Sequence, residues 1–174
     1  MKAKRCRHCK QEFKQTQPLQ VACSLECAIE LSKAKKAKEW RKEKKARKES
    51  LKTAGDYVRE LQVMFNKYIR LRDKDKGCIS CDRPLTGKYD AGHYYSTGSY
   101  PELRFSENNV HGQCVHCNQW KRGAIHEYRV GLIRRIGEQG LLDLESLKGK
   151  HRKYSIQELR DLKSYYRDKI KNNL

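Results

Sequence analysis

Asp90, His93, Asn109 and Asn118 are residues whose types could carry a reaction, and eight cysteines stand around them in a pattern that could hold them in place. The cysteines fall as Cys6-x2-Cys9, Cys23-x3-Cys27, Cys78-x2-Cys81 and Cys114-x2-Cys117. Pairs this close suit tetrahedral thiolate sites and rarely make structural disulfides. The reading is two structural zinc sites in a reducing compartment, with a disulfide framework as the competing one. Zinc held by four thiolates is closed to substrate, so any reaction happens beside it and the metal holds the geometry. Knuckles at Cys78–Cys81 and Cys114–Cys117 would pin the start of a β-hairpin to the start of a helix. His93, in the run Asp90-Ala91-Gly92-His93-Tyr94, and Asn118, directly after the last cysteine, can then face a common point.

The elements that must position these residues are signalled on either side. Residues 78–117 hold most of the chain's turn formers, Pro84, Gly87, Gly92, Gly98, Pro101 and Gly112, which predicts short strands and loops. Upstream, Val58, Leu61, Phe65, Tyr68 and Ile69 recur as on an amphipathic helix packed against a core, over 56–72 and opened after Gly55. Downstream the pattern returns to helix from Val115, with Tyr128, Leu132, Ile133 and Ile136 apolar and Gly137 to Gly140 interrupting it. A final helix over 156–172 has a capping box in Ser155 and Glu158, and Leu159, Leu162, Tyr166 and Ile170 on its apolar face. Tyr94 and Tyr95 are expected to pack and His116 to be exposed. His111 shares strand parity with Asn109 and is a candidate phosphate contact.

The charge points to a partner. Forty Lys and Arg stand against twenty-one Asp and Glu among 174 residues, a net of +19. Such a charge repels itself in a compact state, and a polyanion is the simplest explanation, with nucleic acid ahead of an anionic membrane surface. No run approaches 18 apolar residues, and the basic start leads into Cys6 rather than an apolar signal segment, so a soluble protein is expected. Residues 1–54 alone carry seventeen Lys and Arg against six acidic residues. There, the stretch from Cys6 to Cys27 has few large apolar side chains and can fold only around a metal. From Glu26 to Lys52 the chain has no Gly or Pro, and Glu39 with Lys42 and Glu43 with Arg47 pair at helical spacing. This predicts a basic helical arm, with Lys35, Lys36, Arg41, Lys42 and Lys45 as DNA-binding candidates; a solvated linker is the other reading. Residues 78–123 hold five basic and four acidic residues, too nearly neutral to grip a polyanion alone.

The run Cys-x2-Cys, Asp-Ala-Gly-His-Tyr, Asn-x4-Cys-x2-Cys-Asn-x2-Lys, over Cys78 to Lys121, resembles the zinc-stabilised HNH, or ββα-metal, nucleases. With its N-terminal cysteine module and basic helix, the whole chain is similar to the phage NinG (Rap) family of recombination endonucleases. The resemblance implies that His93 is the general base, that Asn109 is the middle Asn bracing the loop, and that Asn118 binds a catalytic Mg²⁺ or Mn²⁺ through its amide oxygen. The pattern departs at Gly92, where many such nucleases carry an acidic metal ligand. Asp90, on the same face of an extended strand, is the best available substitute. Lys121 and Arg122, one turn beyond Asn118, become phosphate contacts on this reading and ordinary helix surface otherwise.

The expected protein is therefore α+β: an N-terminal four-cysteine zinc module (1–30), a basic helical arm (31–54), and a ββα-metal HNH core flanked by helices (55–174). Its expected ions are two structural Zn²⁺ and one catalytic Mg²⁺ or Mn²⁺. Its expected work is metal-dependent cutting of branched DNA, such as Holliday junctions and displacement loops, by a homodimer in the cytoplasm of a phage's host, without a membrane. A duplex-nicking HNH endonuclease and a non-catalytic zinc protein that binds DNA are the alternatives. His93 and Asn118 discriminate, because a binding module has no use for a base and an oxygen ligand aimed at one point.

Overall fold

The computed structural model describes residues 3–150 and 152–172. The chain divides into two units, Met1–Lys52 and Thr53–Leu174. It is a mixed α+β protein, mostly helical, with two small antiparallel sheets of two strands each.

In the first unit, β1 (Ala3–Arg5) pairs with β2 (Glu12–Lys14), Lys4 opposite Phe13. Cys6 and Ala22 are the residues buried there. The helix α1 (Leu25–Ser50) is capped by Ser24, whose Oγ accepts from the Cys27 N–H at 3.2 Å, and it buries none of its residues. It therefore starts inside the cysteine cluster and runs unbroken into the basic segment, a stretch rich in Ala, Lys and Glu that favours helix without needing a core.

In the second unit, α2 (Ala54–Arg72) buries Tyr57, Leu61, Phe65, Tyr68 and Ile69, one stripe at helical spacing. Gly55, read as punctuation, lies inside its first turn. The start is set instead by a capping box, with the Thr53 hydroxyl accepting from the Asp56 N–H at 3.3 Å and Asp56 accepting from the Thr53 N–H at 2.9 Å. The last helix, α4 (Ile156–Asn172), runs parallel to α2. Arg160 meets Tyr57, Lys163 meets Glu60 and Lys169 meets Tyr68 in step. Phe65 packs edge-on against Phe105 and Tyr166 between them, at 5.8 and 5.0 Å between ring centres.

The second sheet pairs β3 (Tyr89–His93) with β4 (Val110–Cys114). Asp90 stands opposite Gln113, Gly92 opposite His111 and His93 opposite Val110. The helix expected from Val115 onward does not run continuously. A π-helical turn, His116–Trp120, comes first, and then Arg122, Gly123 and Ala124 adopt φ values of 49°, 91° and 45°. Those left-handed residues break the helix, so α3 (Ile125–Ser146) starts afresh; it breaks again at Gly137, whose φ is 74° and ψ 168°. Gly131 brings α3 onto the backbone of the 78–81 knuckle: a Cβ there would run into the Ile79 carbonyl. Ile79, Leu103, Tyr128, Leu132, Leu141 and Leu144 fill the core between them.

Candidate functional site

Each cysteine pair that opens a cluster folds as the same knuckle. In the first unit the Cys6 N–H reaches the Gln11 carbonyl at 2.8 Å and Lys10 turns left-handed at φ 64°; in the second, Cys78 N–H reaches the Arg83 carbonyl at 2.8 Å and Asp82 turns at φ 59°. The four sulfurs of Cys6, Cys9, Cys23 and Cys27 all lie within 4.8 Å of one another, as do those of Cys78, Cys81, Cys114 and Cys117. Sulfur–sulfur distances of 3.5 Å (Cys9–Cys23), 3.6 Å (Cys23–Cys27) and 3.8 Å (Cys81–Cys114) are far too long for disulfides. They fit the roughly 3.8 Å edge of a tetrahedron with zinc–sulfur bonds of about 2.3 Å. Both clusters could hold zinc, with four cysteines each and no open position.

Beside the second cluster lies a cleft of about 330 Å³ lined by Ala91, His93, Asn118, Arg122, Gly123 and neighbouring loop residues. His93 ends β3, and Asn118 sits at the centre of the π-helical turn that Cys117 anchors. The half-buried His93 ring places Nε2 3.2 Å from the Arg104 carbonyl. Burial pulls its pKa below the ordinary histidine range, against the opposing pull of that carbonyl. Asp90 faces away from the His93 side of the ribbon, yet it reaches the same turn: Oδ2 accepts from Asn118 Nδ2 at 2.9 Å and from Gln119 Nε2 at 2.8 Å. Both donors converge on one carboxylate oxygen. Among the described residues, Asp90 Oδ1 and Asn118 Oδ1 accept no hydrogen bond.

Asn109 is buried and clamps the loop that follows His93. Its Oδ1 accepts from the Tyr95 N–H at 2.8 Å, and its Nδ2 donates to the carbonyls of Tyr95 and Leu103 at 3.0 and 3.1 Å. Lys121 and Arg122 are exposed, and Arg122 reaches the cleft. Lys35, Lys36, Arg41, Lys42 and Lys45 are exposed along α1.

The profile of the family described as "Bacteriophage Lambda NinG protein" matches residues 1–173. The chain belongs to the NinG family. It is 36% identical over 189 residues to "Protein ninG" of Escherichia phage lambda, spanning 97% of this chain and 92% of that protein. Against "Protein ninG" of Salmonella phage P22 the identity is 35% over 189 residues, with 97% and 93% covered. No solved structure matches it.

A further expectation fails for this NinG-family chain. His111, a candidate phosphate contact by strand parity, is buried with Nε2 3.2 Å from the Asn108 carbonyl, and burial lowers its pKa. It belongs to a polar knot around Asp73. That carboxylate is fully buried, meets Arg72 at 2.8 and 2.9 Å, and accepts from the Gly112 N–H at 2.8 Å, with Arg135 at 3.3 Å. Burial alone would raise the Asp73 pKa, but His111, Arg72 and the Gly112 N–H outweigh it and hold the carboxyl far below the usual range. The knot ties α2 to β4 and α3.

Gln113, Tyr128 and Gln119 also support the site, and nothing in their residue types singled them out. Gln113 is buried and donates to Ser80 Oγ at 2.8 Å and to the Gly123 carbonyl at 2.7 Å, joining the cysteine knuckle to the cleft's rim. Among the described residues its amide oxygen is buried without a partner, and it fills the space where a side chain at Gly92 would stand. An acidic residue at 92 therefore does not fit this ribbon. The Tyr128 hydroxyl donates to the Gly92 carbonyl at 2.8 Å, holding the strand just before His93. No helix among the described residues is long and apolar enough to cross a membrane.

Proposed function

We propose that this NinG-family protein is a metal-dependent, structure-selective DNA endonuclease that cuts branched recombination intermediates, four-way junctions and displacement loops among them. The observation that carries the reading is the shared cleft: His93 and Asn118 line it together, beside a four-cysteine cluster that leaves no place for substrate at its own metal. The Arg104 carbonyl can only accept, so the Nε2 that faces it carries the hydrogen and Nδ1 keeps its lone pair. Burial keeps that imidazole neutral at physiological pH. In the proposed reaction, Nδ1 takes the proton of the water that attacks the scissile phosphate. Arg122 and Lys121 steady the phosphates on either side, and Asn109 keeps the loop after His93 from shifting.

Asp90 and Asn118 are the residues that would hold Mg²⁺ or Mn²⁺. A carboxylate and an amide oxygen are the hard ligands such ions prefer, and each residue has an oxygen to spare. When bound, the ion supplies neutralisation of the charge that develops on the phosphate and on the departing 3′ oxygen. The packing of Gln113 against Gly92 supports Asp90 as the acidic ligand, since position 92 cannot supply one. Zinc in the two cysteine clusters is structural on this reading. Affinity comes largely from the basic arm. Paired cuts across a junction require two copies of the site, hence a symmetric dimer, acting in the cytoplasm of the phage's host.

The test is cleavage of synthetic four-way junction, displacement loop and linear duplex with and without Mg²⁺. Cutting of the branched substrates that needs Mg²⁺ and disappears in His93→Ala is expected. Tight binding without cleavage in Mg²⁺ or Mn²⁺ would make the protein a zinc-stapled DNA-binding module. Equal cutting of linear duplex would make it a general nicking enzyme.

A further inference from the structure

Both tryptophans of the chain stand in water: Trp40 on α1 is 65% exposed and Trp120 is 80% exposed. The cores are filled without them, by Phe65, Tyr128, Tyr166 and aliphatic side chains. An indole is the largest apolar side chain available for burial, so leaving it outside needs a reason.

Trp120 has a particular place. It closes the π-helical turn, two residues beyond Asn118 and two before Arg122, both of which line the cleft, and the exposed Lys121 follows it directly. The backbone that carries it is fixed at both ends. Cys117 lies in the sulfur cluster, the Lys121 N–H reaches the His116 carbonyl at 3.0 Å, and the Gly123 N–H reaches the Cys117 carbonyl at 3.0 Å. Gln113 then clamps the Gly123 carbonyl from inside the core. Arg122 and Ala124 are held in left-handed conformations that side chains disfavour, so the turn keeps its shape against a local cost.

An aromatic face beside two cations, on a rigid turn at the rim of the cleft, matches one class of ligand: a flat nucleobase on an anionic strand. In a continuous duplex both faces of a base are covered by its neighbours. At a branch point, gap or displaced strand, a face is free. We propose that Trp120 is a stacking platform for an unpaired DNA base next to the scissile phosphate, and that it selects interrupted or branched DNA over continuous duplex. The scissile phosphate rests on the nuclease reading above; the stacking and its preference for an unpaired base require no cleavage.

The experiment uses the full-length, zinc-loaded protein with Trp40→Phe, so that Trp120 is the single indole, and no divalent ion beyond zinc. Titration with a gapped duplex is expected to quench its emission, and titration with a blunt duplex of equal length is not. In the native background, Trp120→Ala should weaken binding to the gapped duplex at least about five-fold, the lower end of what one stacked base is worth, and to blunt duplex less than about two-fold. Trp120→Tyr, which keeps an aromatic face, should recover most of the loss. Equal quenching by both DNAs, or equal weakening of both in Trp120→Ala, would overturn the proposal. So would a change in the sedimentation of the free protein on Trp120→Ala, which would assign the indole to a protein interface. Quenching by gapped DNA in a protein that cuts nothing in Mg²⁺ would sink the nuclease reading and leave the platform standing.

Discussion

The two cysteine clusters share a knuckle, a ligand set and sulfur geometry, yet they anchor opposite kinds of structure. Around Cys6, Cys9, Cys23 and Cys27 the chain buries little beyond Cys6 and Ala22, and the helix that leaves the cluster buries nothing. Around Cys78, Cys81, Cys114 and Cys117 three helices and a β-ribbon close over buried clusters, one of them Cys78 and Cys117 with Leu85 and Ala124, and Gly131 lets α3 press directly on the knuckle backbone. A metal staple by itself therefore makes no site. The second cluster is flanked by a cleft because the elements it pins carry His93, Asn118 and Asp90, and because Gln113 and Asn109 lock the loops between them. The first cluster starts a charged, exposed helix.

The comparison can be broken most sharply at the ligands. Cys114→Ser should unfold the second unit, since its cluster, ribbon and cores form together, with loss of its cooperative thermal transition and about half of the bound zinc. Cys23→Ser should remove a similar share of zinc and leave the melting of the second unit unchanged. Elemental analysis beside a calorimetric melt separates the two, and a common response would mean that the units fold as one.

Next in size are the residues of the cleft. His93→Ala should reduce cleavage by about 10²- to 10⁴-fold, with Asn118→Ala and Asp90→Ala also losing activity and DNA affinity staying within a few-fold. Because burial lowers the His93 pKa, protonation silences the base only at pH values below the ordinary 6.5 or so, and the acid limb of the rate profile should lie there. Retained activity in Asp90→Ala would remove that carboxylate from the catalytic ion.

Deleting residues 1–52 is expected to have a smaller effect: Mg²⁺-dependent nicking remains measurable, while affinity falls about ten-fold or more at moderate salt and its salt dependence flattens. A steeper loss for junctions than for duplex would show that the arm follows a second DNA arm. Unchanged binding would reduce it to a linker. Gly131→Ala tests the contact that distinguishes the second cluster from the first. A methyl group there overlaps the Ile79 carbonyl, a backbone atom of the knuckle, so α3 must move off it, and the second unit should lose about 3 kcal/mol or more, read as a fall in its melting temperature.

Much of this is legible in the sequence. Cysteine spacing fixed both clusters because thiolate ligation tolerates few alternatives, and the stripes on α2 and α4 follow from helical periodicity. Gly137 broke α3 as expected. The rest depends on partners distant in sequence or on backbone torsions that no residue type announces. Asp73 stands in the run Asp73-Lys74-Asp75-Lys76, one charge among four, yet its partners His111 and Arg135 arrive from 38 and 62 residues away. The same knot withdrew His111 from the surface, which strand parity alone could not reveal. The left-handed turn at Arg122 and Ala124 carries two side chains that ordinarily avoid it, so a continuous helix from Val115 was the natural expectation and the π-helical turn was not.

Ser24 has one further consequence. Its hydroxyl caps α1 from within the first cysteine cluster, so the first turn of that helix is assembled by the same event that gathers the four sulfurs. Starting a helix is the unfavourable step, with a penalty of order 10⁻³ in the equilibrium constant, and each residue added afterwards is nearly neutral. A metal ion gripping Cys27 would act as a permanent seed, and the 26 residues of α1 would propagate from it without any core to lean on. Amide hydrogens along α1 should then exchange in a gradient, slowest near Ala28 and fastest toward Ser50, and a chelator that empties the first cluster should flatten that gradient into the rapid exchange of a coil.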